Sequence, residues 1–251
     1  MPRNKVEVIN DLLGYEGLKI IQRPDIFNFS LDSTLLADFV TINKSDKMIM
    51  DMGCGNGYIP IFLTLRTSSK IIGIEIQEEI ASLAKRSVEL NKLEDQIDIY
   101  NLDLKKAHFT FKTSTFDVIT CNPPYFKYDE SSNINENMEL TIARHEVKAT
   151  LDDVIREASI LLKDGGTFAI VHRAERMMDI IETLKKYKFE AKRLRLVYPK
   201  TSSSEALAIL IESKKKGKPG GLKILPPMYV ENDFGNYTEE ILKIFNYKKG
   251  E

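Results

Sequence analysis

The sequence predicts an α/β fold, a mostly parallel sheet with helices on both faces and an antiparallel hairpin at its edge. Three observations carry this expectation. From Lys47 onward, short apolar runs alternate with longer stretches of helical spacing, the pattern of successive βαβ units. The first run ends in a glycine turn, Asp51-Met52-Gly53-Cys54-Gly55-Asn56-Gly57, directly before a helical segment. Further on, two apolar runs are separated only by the polar loop Pro199-Lys200-Thr201-Ser202-Ser203-Ser204, a spacing that suits neighbouring antiparallel strands.

Taken in order, Lys19–Ile21 and Phe27–Phe29 bracket Arg23-Pro24-Asp25 as a hairpin, and Asp32 or Ser30 caps a helix over Ser33–Val40. Buried strands follow at Met48–Met52, Lys70–Glu75, Ile97–Leu102, Phe116–Cys121 and Thr167–His172, each rich in branched apolar residues. Helices lie between them at Ile59–Thr67, Glu78–Asn91 and Leu151–Leu162; in the second, Ile80, Leu83, Ala84, Ser87, Val88 and Leu90 fall at helical spacing. Lys163-Asp164-Gly165-Gly166 reads as a helix stop before the next strand. A helix at Arg176–Tyr187 leads to the closing pair, Lys192–Tyr198 and Ala206–Ser213. Lys214–Gly221 is a basic connector, Leu222–Tyr229 is extended around Pro226-Pro227, and Thr238 opens a last helix ending at Phe245. The expected organisation is residues 1–46 as a hairpin and helix over the ligand site, 47–213 as the core, and 214–251 as an extension packed on it.

With 251 residues, 43% hydrophobic and 29% charged, the chain is long and apolar enough for a full core. No run approaches the roughly 20 apolar residues that span a bilayer, and Met1-Pro2-Arg3-Asn4-Lys5 leads into a polar segment, so a cytoplasmic protein is expected. Cys54 and Cys121 read as small buried fillers, His108, His145 and His172 lack ligand spacing, and no metal is expected. The net charge of −1 hides an asymmetry: Thr183–Lys223 carries twelve Lys and Arg against Glu190, Glu205 and Glu212. A polyanion can dock on such a surface, and so can solvent alone.

Two constellations carry chemistry. Glycines before a helix let a ligand approach backbone that a Cβ would block, and the spacing Gly53-x-Gly55-x-Gly57 is not the G-x-G-x-x-G of a dinucleotide fold. Asp51, at the tip of the first core strand, can orient loop amides or accept the amino group of a bound amino acid. Glu75, at the tip of the second, can accept two ribose hydroxyls, and Asp103, past the third, an adenine amine. Ile76 and Leu104, which follow two of these acids, are counted with them as ligand-binding. Downstream stands Asn122-Pro123-Pro124-Tyr125. A planar nitrogen, such as an adenine amine or a glutamine amide, is a poor nucleophile because its lone pair is delocalised. An Asn oxygen and a neighbouring carbonyl can accept its two N–H bonds and turn the lone pair outward. The prolines stiffen the backbone that holds these acceptors, and the tyrosine ring offers a stacking surface. Phe126 and Tyr128 can wall the same pocket, whereas Arg144-His145-Glu146 lacks the second histidine of a zinc helix and reads as a surface helix start.

This arrangement resembles the class I S-adenosylmethionine-dependent methyltransferases. Phe27-x-Phe29-Ser30-x-Asp32, Leu35-Leu36-Ala37, Asn122-Pro123-Pro124-Tyr125-Phe126, Arg144-His145-Glu146, Pro226-Pro227 and Tyr237-Thr238 further resemble the bacterial enzymes that methylate N6 of adenine-37 in valine tRNA. The resemblance implies a Rossmann-like seven-stranded sheet with its last strand inserted antiparallel, S-adenosyl-L-methionine as cofactor, RNA as partner, and Asn122–Tyr125 as catalytic residues. Asn122 then also borders the cofactor. A release-factor-type glutamine N5-methyltransferase carries the same tetrapeptide, but behind a helical substrate domain, whereas the 46 residues before the first core strand read as hairpin plus helix. A ribosomal-RNA or DNA adenine methyltransferase shares the pocket chemistry, and a non-catalytic RNA-binding module is the alternative of another class.

Overall fold

The structure is a computed structural model and describes residues 6–12, 17–24, 31–123 and 149–246. The core strands are β3 (Met48–Met52), β4 (Lys70–Glu75), β5 (Ile97–Asn101), β6 (Phe116–Cys121), β7 (Leu162–Arg173), β8 (Phe189–Lys200) and β9 (Ala208–Lys215). Two short strands follow, β10 (Lys223–Ile224) and β11 (Met228–Glu231). Among the described residues the sheet is nine-stranded, in the order β10-β8-β9-β7-β6-β3-β4-β5, with β11 also pairing β8. β3 through β7 are parallel; β9 is antiparallel to both β7 and β8, so β8 again runs with the parallel set. The antiparallel pair is therefore present, with β9 inserted between β7 and β8, but β8 is not left as a bare edge. β10 and β11 cover it in parallel register, which satisfies backbone groups that an edge strand would expose.

Two helical layers cover this sheet. α1 (Leu31–Phe39), α2 (Tyr58–Leu63), α3 (Glu78–Leu90) and α7 (Glu239–Phe245) pack on one face, where Leu35, Phe62, Ala84 and Ile241 meet Ile49, Ile71 and Val118. α4 (Ala107–Thr110), α5 (Leu151–Leu161) and α6 (Met177–Lys186) pack on the other, where Val154, Ile155 and Ile180 meet Met50, Phe116 and Phe168. Because both faces are buried, the central strands carry apolar side chains at successive positions rather than at alternate ones.

The helix ends have local causes. Thr150 and Asp153 form a reciprocal capping box on α5, and Thr238 accepts the Ile241 N–H to cap α7. At its other end, α5 passes straight into β7: Leu162 is already extended, and Gly165-Gly166 lies inside the strand rather than between helix and strand. A register shift between Phe116 and Val118 of the partner strand accommodates the pair, and Gly165 takes φ +79°.

Near the N-terminus, β2 (Lys19–Gln22) forms a two-stranded antiparallel sheet with β1 (Val8–Asp11). That partner is not among the strands the sequence predicts, since Val8-Ile9-Asn10-Asp11 shows no alternation; Phe27–Phe29, the expected partner, lies outside the described residues. β2 docks on α3: Ile21 N–H donates to Ser87 Oγ at 3.0 Å, and the Asn91 side chain exchanges hydrogen bonds with the Lys19 backbone at 2.7 Å each. Across the molecule, buried Glu212 on β9 accepts from the Thr41 N–H and from Arg193, which ties the end of α1 to the sheet.

Candidate active site

The parallel strands β3, β4, β5 and β6 end at the same edge, and the residues singled out in the sequence gather along it. β3 is central, bonded to β4 on one side and β6 on the other. From its end the chain turns through Gly53, Gly55 and Gly57 at φ +72°, +55° and +90°. A Cβ at Gly53 would meet no atom within 4 Å, so that position needs glycine for its backbone conformation rather than for space. Gly73 on β4 is the reverse case: a Cβ there would stand 2.8 Å from Cys54 Sγ, and its absence lets the loop lie against the sheet. Both Gly53 and Cys54 donate their N–H groups to Ile74 O at 2.9 Å.

Glu75 locks this loop. Its carboxylate accepts the Gly55 N–H at 3.1 Å and the Gln77 N–H at 2.9 Å. Burial raises its pKa, and the backbone N–H bonds oppose that shift. A carboxylate has about four acceptor sites, so two bonds leave capacity for ligand hydroxyls. Asp51 is 1% exposed. Its Oδ1 accepts from Thr120 Oγ at 2.7 Å, while Oδ2 is buried with no hydrogen-bond partner. Burial pushes its pKa up to about 8, the Thr120 bond works against this, and the Glu75 charge adds to it. Of the two roles open to Asp51, orientation of loop amides is therefore not the one displayed: its hydrogen bond goes to β6, and the orphaned oxygen is the kind of acceptor a ligand ammonium satisfies.

Asp103 caps the 3-10 turn Leu104–Lys106 by accepting the Lys105 N–H at 3.0 Å, and both Asp103 and Leu104 are half-buried past the end of β5. Asn101 joins this strand end to β4 by donating to Glu75 O and Ile76 O at 3.0 and 2.9 Å. At the end of β6, Asn122 is half-buried and Pro123 buried. The Asn122 amide nitrogen donates to Ser33 Oγ on α1 at 2.8 Å, which fixes the oxygen as the accepting end of that side chain. Pro124, Tyr125, Phe126, Tyr128 and Arg144-His145-Glu146 lie outside the described residues. The structure thus brings Asp51, the glycine loop, Glu75, Ile76, Asp103, Leu104 and Asn122 to one sheet edge.

The supporting residues Ser33, Thr120 and Asn101 are not singled out by sequence reasoning. Ser33 and Asn122 are 89 residues apart, and neither carries a motif that names the other. Thr120, directly before Cys121 on a strand already expected, is the one with a local signal, a hydroxyl in an otherwise apolar run. Cys54 and Cys121 are buried, and burial beside Asp51 pushes both thiols well above their ordinary pKa, so they are protonated fillers. Among the described residues no three metal-ligating side chains converge, and no helix is long and apolar enough to cross a membrane.

Comparison with known proteins bears on the family and the fold. A family model described as "Methyltransferase domain" matches residues 43–233. A protein of Porphyromonas gingivalis, 30% identical over 190 residues that make up 73% of each chain, is named tRNA1(Val) (adenine(37)-N6)-methyltransferase. A protein of Flavobacterium psychrophilum with the same name is 22% identical over 237 residues, 93% of this chain and 97% of its own. One of Methanocaldococcus jannaschii, provisionally named a protein N5-glutamine methyltransferase, is 29% identical over 161 residues, 64% of this chain and 78% of its own. Solved structures share the fold. A predicted O-methyltransferase of Agrobacterium tumefaciens superposes with a TM-score of 0.65 at 20% identity, covering 86% of this chain and 96% of that one. A geranyl diphosphate methyltransferase in complex with S-adenosylmethionine superposes at 0.52 and 13%, covering 73% and 84%. The chain belongs to the methyltransferase-domain family and is an S-adenosyl-L-methionine-dependent methyltransferase.

Proposed function

We propose that the protein transfers the methyl group to the exocyclic N6 amine of an adenine in RNA, with tRNA as the substrate class. The observation that carries this reading is Asn122, whose amide nitrogen is held by Ser33 at 2.8 Å. With that end engaged, the side-chain oxygen and the Pro123 carbonyl are the pair of acceptors that would grip both N–H bonds of a planar amine. The cofactor supplies an electrophilic methyl on a sulfonium. Asp51 would take its ammonium, Glu75 its ribose hydroxyls, Asp103 its adenine amine, and the glycine loop, Ile76 and Leu104 would border it.

No strong base is required. The amine becomes acidic as it acquires the methyl, so its proton leaves late, to water. Holding the two reacting atoms in line supplies most of the acceleration. An adenine in a loop must be splayed from its neighbours to reach Asn122, and Tyr125 offers the ring on which it would stack. The names of the Porphyromonas and Flavobacterium relatives support RNA as the substrate. The name of the Methanocaldococcus relative favours a second reading, a glutamine amide, to which the same two acceptors apply.

Parallel assays with tritiated S-adenosylmethionine and total tRNA, ribosomal RNA, DNA or release factor separate these readings. Label is expected in tRNA, and digestion should release it as N6-methyladenosine. Label confined to release factor would transfer the assignment to the amide.

A further inference from the structure

The basic stretch that stands out in the sequence does not face the catalytic edge. Register places Cys121 beside Ile170 and Ile170 beside Ile211, and β9 then runs away from the site toward Lys214 and Lys215. Lys216 is therefore separated from Asn122 by roughly six strand residues, about 20 Å at ~3.3 Å per residue. At that far edge the lysines converge from three elements. Lys188 follows α6 and carries φ +61°, its N–H bonds to Lys185 O, and its carbonyl accepts the Lys216 N–H at 2.7 Å. Lys192 on β8 donates its ammonium to the carbonyls of Lys218 and Gly220, which fastens the connector beside the strand. Asp164 takes up Lys215 and Lys216, and Glu190 accepts the Gly220 N–H. Lys185, Lys188 and Lys218 are exposed and have no carboxylate partner among the described residues. Among the other cations of the stretch, Arg193 binds Glu212, Arg195 binds Glu240, Lys186 binds Asp152, and Lys200 stands past the catalytic edge beside Glu231.

From this placement, and resting on the RNA reading above, we infer that the lysine cluster around Lys185, Lys188 and Lys218 is a second docking site for the phosphate backbone of a structured RNA, remote from the target base. Solvated lysines with no carboxylate to neutralise them present a net positive field, and neutralising phosphates releases condensed counterions from the RNA. Phosphate contacts position a substrate without reading its sequence. The roughly 20 Å between the cluster and Asn122 then selects for length and shape: a substrate that touches both must be a folded RNA body and not a short loop. A protein carrying one target glutamine has no such phosphate array.

The test compares the wild type with K185E/K188E/K218E on a full-length tRNA transcript and on the isolated stem-loop that carries its target adenine. On the full-length tRNA, KM should rise at least tenfold with kcat within twofold, and the slope of log kcat/KM against log salt should become shallower by about two to three. On the stem-loop, kcat/KM should not change, and S-adenosylmethionine affinity should not change on either background. The milder K185Q/K188Q/K218Q must move KM in the same direction. An unchanged KM and salt slope on full-length tRNA would overturn the inference while leaving the RNA reading intact, and so would an equal loss on the stem-loop. A wild type that methylates neither RNA removes the RNA reading and this inference with it.

Discussion

The two edges of the sheet handle charge in opposite ways. At the edge where β3, β4 and β6 end, Asp51 and Glu75 are buried, both pKa values are raised by desolvation, and the hydrogen bonds they accept come from Thr120, Gly55 and Gln77. At the other edge the charges are exposed lysines on a strand end and a connector, paired in part with Asp164 and otherwise solvated. A buried carboxyl in a low dielectric acts strongly over one or two bonds once it is ionised, and can then hold a ligand atom in place. An exposed one is screened within about 10 Å and serves to attract and steer. The first kind of edge suits chemistry, and the second suits a large charged partner.

Substitutions at the catalytic edge should therefore have large and local effects. The largest is expected for Asn122→Ala, which on the proposed reading removes a preorganised acceptor: kcat should fall on the order of 10²–10³. Equilibrium binding of S-adenosylmethionine should change less than about threefold, and turnover near the wild-type rate with the cofactor bound would remove Asn122 from the chemistry. Glu75→Gln should rank second. An amide accepts through one oxygen, so the Gly55 or the Gln77 N–H loses its partner, at about 1–3 kcal/mol. For a chain of this length that lowers Tm by roughly 2–10 °C, and cofactor affinity should weaken on the order of tenfold. Calorimetry reads both.

The effect on activity is smallest, and the one on stability most specific to burial, at Asp51. Its carboxyl ionises near 3.8 when unfolded and at about 8 in the folded protein without ligand. Between those values the folded state keeps a proton that the unfolded state has released. Stability from this group is therefore full at low pH, falls as pH rises through that window by up to about 1.4 kcal/mol per unit, and is level above it. Asp51→Asn should flatten this part of the stability profile, as measured by denaturant unfolding from pH 5 to 8. An unchanged profile would mean that the carboxyl is already ionised in the folded protein. Lysine substitutions at the far edge should not alter it at all.

Much of the candidate active-site edge is legible in the chain because strand ends and tight turns have local signatures. Met48–Met52, Lys70–Glu75 and Phe116–Cys121 are strands with the bounds their apolar runs predict, and each delivers an acid, a glycine or Asn122 to the same edge of a parallel sheet. The expectation goes astray where geometry depends on what lies alongside. Gly165-Gly166 looks like a helix stop but is absorbed as a bulge by pairing with β6. Val8–Asp11 has no strand pattern of its own and is held by β2, which is itself held by Ser87 and Asn91 of α3. The pairing of β10 and β11 with β8 likewise follows from an edge being available, not from their own short sequences.

By itself the sequence determined the α/β class and the glycine turn with its acids, and it displayed an Asn-Pro-Pro-Tyr, because each depends on residue type and backbone conformation within a few positions. Only the tertiary structure decided what each group does next. It set Ser33 against Asn122 and Thr120 against Asp51, left one oxygen of that acid buried without a partner, and sent the lysine run to the edge opposite the site. Those outcomes depend on which strands are neighbours and in which direction they run, and strand order is set by packing the whole sheet between its two helical layers.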